Sequence, residues 1–197
     1  MAAAICQHTR VVKSARRTAA WQFFTGKRAM KIGKSWLLMA TLSLTCLSPC
    51  WGVDVGKIAP AIKAKQIDGH TFDLGSYAGQ VVIINFWATW CAPCRQEMPA
   101  LESYYRQHQA EGLRIIAISM DDPADDQLVQ QVMREYSFAA AFRREADYKG
   151  YGRIWRMPMT FVVDRHGILR KDGSVGDPKV DLLMLEKIVT PLLKEAQ

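Results

Sequence analysis

Two long apolar runs stand out in the hydrophobic pattern of the chain. Residues 81–87 and 113–119 consist mainly of branched and aromatic apolar side chains, without the polar alternation expected of a half-exposed strand. Apolar runs of this length, bounded by polar segments, predict central strands of a sheet that is covered on both faces. Between them, the segment from about Pro93 to Gln109 contains good helix formers, and we expect Pro99 to kink that helix.

Shorter segments complete the pattern. Ala64–Ile67 and Thr71–Leu74 alternate apolar and polar residues around Asp68-Gly69, which predicts a β-hairpin. In chain order, the remaining predictions begin with a loop or one helical turn over 75–80, an acidic loop over 121–126, a helix over 128–136 and an extended piece over 138–142. A helical turn over 147–154 and strands over 160–164 and 168–171 follow. The last prediction is a helix over 178–194, with Leu182, Leu183, Leu185, Ile188, Val189, Leu192 and Leu193 on its buried side. This order of elements indicates an α/β domain.

The positive charge of the chain lies ahead of this domain. The net charge is +7, but eight of the 26 Lys and Arg residues, and none of the 19 Asp and Glu residues, precede Asp54. The rest of the chain is therefore close to neutral. A basic surface for nucleic acid is not expected on the domain.

The first part of the chain has the pattern of an export signal. Residues 1–52 are predicted to be an extension and a signal peptide or signal anchor, and residues 53–197 the domain. Lys31 and Lys34 precede an uncharged apolar run at 36–47, and small or turn-forming residues follow. The run is shorter than the roughly 20 apolar residues of a membrane span. We expect a location in the periplasm or at the outer face of the cytoplasmic membrane.

Two features of this leader remain open. Met30 is a second candidate start, and cleavage near Gly52 competes with retention as a membrane anchor. Three of the five cysteines lie in the leader, so cleavage would leave the domain with two cysteines. The leader cysteines are Cys6, Cys46 and Cys50.

The two domain cysteines lie in the run Trp90-Cys91-Ala92-Pro93-Cys94, where the first long strand ends and the helix begins. The free N–H groups and the dipole at a helix start favour an anion, so we expect the pKa of the Cys91 thiol to be lowered. Cys94 lies one helical turn inside and can reach back to Cys91. The sequence predicts a redox-active pair in which Cys91 attacks a disulfide and Cys94 resolves the mixed disulfide.

Metal binding is the main alternative for these cysteines. A zinc site would need a second cysteine pair or nearby histidines, and the four histidines are scattered. Cu(I) prefers thiolate and thioether ligands, which makes Met120, Met157 and Met159 candidates for a copper-delivery or oxidase-assembly accessory. Core packing is the more common role of methionine, and we expect neither a metal nor a cofactor.

A family resemblance extends this interpretation. Asn85-Phe86-Trp87-Ala88-Thr89-Trp90-Cys91, then Glu97, and later Met157-Pro158-Met159-Thr160-Phe161 resemble the TlpA/ResA/CcmG branch of the thioredoxin superfamily. The likeness runs from about Val55 to the C-terminus. It implies a thioredoxin fold, which is a central mixed sheet flanked by helices, here with an N-terminal β-hairpin extension.

The resemblance also implies an activity and partners. Proteins of this branch are thiol-disulfide oxidoreductases that act as exported reductants of the cytochrome c maturation type. The implied clients are proteins with cysteine pairs, with apocytochrome c as one candidate. The implied electron donor is a membrane thiol-disulfide carrier.

Further site residues follow from the same resemblance. Pro158 matches the cis-proline that faces the dithiol, and the Met157 backbone would then contact substrate. Trp90 can cover the dithiol and contact substrate, whereas Trp87 is expected to pack in the core.

Glu97 lies one turn after Cys94 and can exchange a proton with it if it is half-buried. Judged by residue type alone, Glu97 is a solvated helix residue, but the resemblance implies a functional carboxylate. Asn85 stands where thioredoxins have an aspartate and cannot ionise.

A thiol peroxidase is a third hypothesis, because peroxiredoxins share the fold. Their reactive cysteine lies in a Thr-x-x-Cys motif, whereas Thr89 is two residues before Cys91. The spacing therefore disfavours a peroxidase.

Overall fold

The computed structural model describes residues 53–195. The predicted leader at 1–52, with its alternative start at Met30 and its cleavage near Gly52, lies outside the described residues. The strands are β1 (Lys63–Gln66), β2 (Thr71–Asp73), β3 (Val81–Trp87), β4 (Leu113–Ser119), β5 (Ala139–Asp147), β6 (Met159–Val163) and β7 (Leu169–Lys171), and the α-helices are α1 (Ala92–His108), α2 (Asp126–Met133) and α3 (Leu182–Lys194).

The seven strands form one mixed sheet in the order β2-β1-β5-β4-β3-β6-β7. The pairs β3–β4 and β4–β5 are parallel, and the other pairs are antiparallel. The hairpin β1–β2 joins the sheet through β5. The predicted mixed sheet with helices and an N-terminal hairpin is confirmed.

The central strand β3 is buried at every residue, and its alternate side chains enter two different cores. Val81, Ile83 and Trp87 belong to a cluster that includes residues of all three α-helices. Val82 and Phe86 belong to a second cluster on the other face, which is covered by the N-terminal segment and by short 3-10 turns. Because side chains alternate along a strand, Asn85 faces the helices.

Helix α1 begins where the sequence predicts. Cys91 is its N-cap, and the residues buried along it, from Cys94 to Tyr104, recur at three- and four-residue spacing. Pro99 lies inside the helix, which continues to His108. The dithiol is therefore attached to a helix whose inner face is part of the core.

Several boundary predictions are wrong. α2 spans Asp126–Met133 rather than 128–136, so it begins inside the predicted acidic loop. α3 begins at Leu182 rather than at residue 178, because Asp181 accepts a hydrogen bond from the Met184 amide (2.9 Å) and caps the helix there. Leu182 and Leu183, predicted to be buried, are 45% and 73% exposed. β5 runs to Asp147 instead of ending at Phe142, because it pairs with β1 along this stretch.

A short N-terminal segment covers the β7 edge of the sheet. The Gly56 amide donates to the Leu169 carbonyl (2.8 Å), and the Leu169 amide donates to the Lys57 carbonyl (2.9 Å). Ile58 and Ile168 form an isolated antiparallel bridge. None of the helices described between residues 53 and 195 has the length and apolar character needed to cross a membrane.

Candidate active site

Cys91 and Cys94 are joined in a disulfide at the start of α1, with their Cα atoms 5.3 Å apart. Cys91 is 5% exposed and Cys94 is fully buried. The Cys94 amide donates a hydrogen bond to the Cys91 sulfur (3.3 Å). This N–H would also stabilise a thiolate at Cys91 after reduction. The predicted pair is in place, and Cys91 is the more accessible sulfur.

The loop that presents Cys91 is held by a buried carboxylate. Asp121 is 4% exposed and accepts the Thr89 amide at both oxygens (3.1 and 3.0 Å) and the Thr89 hydroxyl (2.6 Å). The Ser119 hydroxyl also donates to it (2.8 Å). Because Asp121 engages the Thr89 hydroxyl, a peroxidase-like role for that hydroxyl beside Cys91 has no support.

Sequence reasoning missed the role of Asp121, which it placed in an acidic loop. An indication was available, because Asp121 lies two residues after β4 and Thr89 lies two residues after β3. The carboxyl ends of parallel strands meet at the same edge of a sheet.

We expect Asp121→Ala to destabilise the protein by about 2–4 kcal/mol, because it leaves the Thr89 amide, the Thr89 hydroxyl and the Ser119 hydroxyl without their acceptor. Chemical denaturation at neutral pH measures the change. Asp122→Ala is the matched control, since Asp122 is exposed and its side chain pairs with Arg143 at the surface. A loss no larger than that of the control would contradict the assignment.

Glu97 is the second buried carboxyl group near the cysteines. It is 4% exposed, so the solvated alternative is wrong and the burial exceeds the half-burial expected. Asn85 and Thr160 lie opposite each other in the β3–β6 register. The Asn85 side-chain amide donates to Glu97 Oε1 (2.7 Å) and to Thr160 Oγ1 (2.9 Å). Asn85 therefore links Glu97 to the strand that follows Pro158.

Burial raises the pKa of Glu97 to about 8. The Asn85 hydrogen bond, the Val180 backbone amide and the charge of Lys171 oppose this rise in pKa. Within residues 53–195, Glu97 Oε2 has no hydrogen-bond partner. Lys171 donates to the Thr160 carbonyl (3.2 Å), and burial lowers its own pKa. Near neutral pH both forms of Glu97 are accessible, as a proton carrier requires.

The Met157–Pro158 peptide is cis, as predicted. Beside it lies a cleft of about 290 Å³, lined by Pro93, Glu97, Pro158 and the segment 178–181. Trp90 precedes Cys91 and is 67% exposed, so its indole is available for contact with a client.

Trp87 and the three candidate methionines do not all lie on the same face of the sheet. Trp87 is fully buried, which confirms its packing role. Met157 packs against the helix-side cluster that contains both cysteines, whereas Met120 and Met159 pack in the other cluster. The structure does not bring the three methionines together. Between residues 53 and 195, no group of three or more His, Cys, Asp or Glu residues could hold a metal ion.

Comparisons with known proteins agree with this geometry. The model of the AhpC/TSA family matches residues 55–172. The chain is 34% identical over 119 residues to the thiol-disulfide oxidoreductase ResA of Oceanobacillus iheyensis, a match that covers 57% of this chain and 61% of that protein. The chain thus spans about three fifths of that relative. It is 30% identical over 142 residues to ResA of Bacillus thuringiensis subsp. konkukian, covering 71% of this chain and 80% of that protein.

A solved structure is similar to this chain in both fold and sequence. A Chlorobium tepidum protein described as a candidate thiol:disulfide interchange protein DsbE superposes with a TM-score of 0.51 and 30% identity, over 61% of this chain and 84% of that one. The chain therefore belongs to the AhpC/TSA family, among its thioredoxin-like thiol-disulfide oxidoreductases.

Proposed function

We propose that the protein is an exported reductant that transfers two electrons from the Cys91–Cys94 dithiol to disulfides of client proteins. The observation that supports this most is the placement of the two cysteines: Cys91, at the helix start, is slightly exposed (5%), whereas Cys94, one turn into the helix, is fully buried. A client disulfide can approach the first sulfur, and the second can release the client.

The exchange proceeds in two balanced steps. The Cys91 thiolate attacks one client sulfur, the client S–S bond breaks, and the released sulfur takes a proton from water. Cys94 then gives its proton to the Glu97 carboxylate, and its sulfur attacks Cys91. The bond between Cys91 and the client breaks, and the second client sulfur takes the proton that Glu97 holds. The client gains two electrons and two protons, and Cys91 and Cys94 end as a disulfide.

The proposal of export is supported by the signal-like pattern of residues 1–52. Free cysteine pairs become oxidised in an exported compartment, so clients that must stay reduced need a dedicated reductant there. The family resemblance implies cysteine pairs of apocytochrome c as candidate clients and a membrane thiol-disulfide carrier as the donor. Cell fractionation and amino-terminal sequencing of the mature protein test export, and a cytoplasmic protein that begins at residue 2 would contradict it.

We expect a reduction potential for the cysteine pair near or below about −250 mV, in the range of reducing members of such folds. Equilibration with glutathione buffers, read by trapping the thiols with an alkylating reagent, measures it. A value near about −120 mV, that of a strong disulfide oxidant, would reverse the direction of transfer. Turnover of hydrogen peroxide comparable to the exchange rate would instead favour the peroxidase.

A further inference from the structure

Arg156 connects two loops beside the cleft that Pro158 lines. It lies two residues before Pro158, and its guanidinium donates to the Gly173 carbonyl from Nε (3.2 Å) and Nη2 (2.7 Å) and to the Gly176 carbonyl from Nη1 (3.0 Å). It also lies over the ring of Trp155, 5.1 Å from the centroid, and this indole is 60% exposed. One side chain thus joins the segment before Pro158 to the loop after β7.

The loop after β7 has the glycines that this arrangement requires. A Cβ on Gly173 would lie 2.5 Å from the Thr160 amide nitrogen and 2.8 Å from Met159 Cγ, so only glycine fits against β6 here. Gly176 has φ +71°, a conformation that other residues adopt with strain. The loop therefore approaches β6 closely at one end.

The other end of the loop forms one wall of the cleft. The segment 178–181 faces Pro93, Glu97 and Pro158 across the cleft of about 290 Å³. Val180 is 2% exposed, and Asp181 is fixed as the cap of α3. Arg156 and the α3 cap thus hold this wall from its two ends.

We propose that Arg156 is a positioning residue that fixes this wall and thereby favours disulfides within extended polypeptides over small free disulfides. The inference rests on the proposed function, because it assumes that clients approach Cys91 beside Pro158. On this proposal, a polypeptide that flanks its disulfide on both sides occupies the cleft between Pro158 and the segment 178–181. A small disulfide needs access to the Cys91 sulfur and gains nothing from the wall.

The substitution leaves the two core clusters unchanged. Arg156 is half-buried, and its hydrogen-bond acceptors are carbonyls of a surface loop. Variants at this position should fold, and thermal unfolding of each variant checks this.

The test compares two substrates in the purified protein: bis(2-hydroxyethyl) disulfide and a synthetic peptide of about ten residues with an internal Cys-x-x-Cys disulfide. We expect Arg156→Ala to raise KM for the peptide about tenfold, to change its kcat less than about twofold, and to leave both constants for the small disulfide within about twofold. Arg156→Lys keeps one donor group and should restore part of the peptide KM. Arg153→Ala removes an exposed arginine of the segment that precedes Pro158 and should change the kinetic constants of neither substrate.

A uniform loss for both substrates, or no change for the peptide, would overturn the inference. Gly176→Ala disturbs the loop after β7 independently of Arg156 and should also raise the peptide KM selectively. Failure of the unmodified protein to reduce either substrate would contradict the proposed function itself, which keeps the two failures distinguishable.

Discussion

Cys91→Ser is expected to lower the rate of disulfide exchange by at least about a thousandfold, because it removes the nucleophile and a serine hydroxyl is not ionised at neutral pH. Cys94→Ser is expected to behave differently. Its Cys91 can still attack a client, but nothing within the protein releases the mixed disulfide. The adduct should therefore accumulate.

Rapid-quench alkylation and mass spectrometry of both variants with one disulfide peptide measure these outcomes. The two variants are controls for each other, since each removes one of two sulfurs that lie in the same disulfide. Because Cys94 is fully buried, a peptide disulfide should react with it much more slowly than with Cys91. An adduct on Cys94 in the Cys91→Ser variant, formed as fast as the adduct on Cys91 in the other variant, would reverse the roles.

The second large effect is a change with pH in the free energy of unfolding of the oxidised protein. Burial raises the pKa of Glu97 from 4.5 to about 8, so the folded protein holds a proton that the unfolded chain releases. The folded state is therefore favoured fully below about pH 4.5, and that contribution is lost as pH rises towards about 8. The loss amounts to a few kcal/mol, at most about 5, because each pKa unit corresponds to about 1.4 kcal/mol.

Glu97→Gln should remove this dependence, because glutamine cannot ionise. Denaturant titrations between about pH 5 and pH 9 should show the unmodified protein losing stability relative to Glu97→Gln. Glu186→Gln, at an exposed position on α3, is the control and should track the unmodified protein. Parallel curves for all three proteins would mean that Glu97 keeps its ordinary pKa in the fold.

The same variant tests the proton transfer. If Glu97 takes the proton of Cys94, Glu97→Gln should slow the release of the mixed disulfide and flatten its pH profile near pH 8. An unchanged profile would remove Glu97 from the mechanism and leave its stability effect intact.

The sequence is most informative where local pattern and burial agree. β3 and β4 occupy 81–87 and 113–119, as the apolar runs predict, because strands covered on both faces have no polar side. The helix start at Cys91 is equally local, since a strand end, a cysteine cap and a proline in the first turn lie in one short run.

Contacts between distant parts of the chain explain the structural features that the sequence alone did not predict. No element is predicted for residues 143–146, yet they extend β5, which pairs with the distant hairpin strand β1. The hydrogen bond from Asn85 to Glu97 and the one from Asn85 to Thr160 join elements that are far apart in the chain. Periodicity along one segment contains no information about such pairings.

The pairing of residues 56–59 with the last strand bears on where a protease could cut the chain without exposing β7. Main-chain groups of Gly56, Lys57 and Ala59 occupy hydrogen-bonding partners on β7 and its preceding turn. Proteolysis upstream of residue 54 would leave these main-chain hydrogen bonds intact. Trimming past Lys57 would turn β7 into an open template for strands of neighbouring molecules, a recognised route to aggregation.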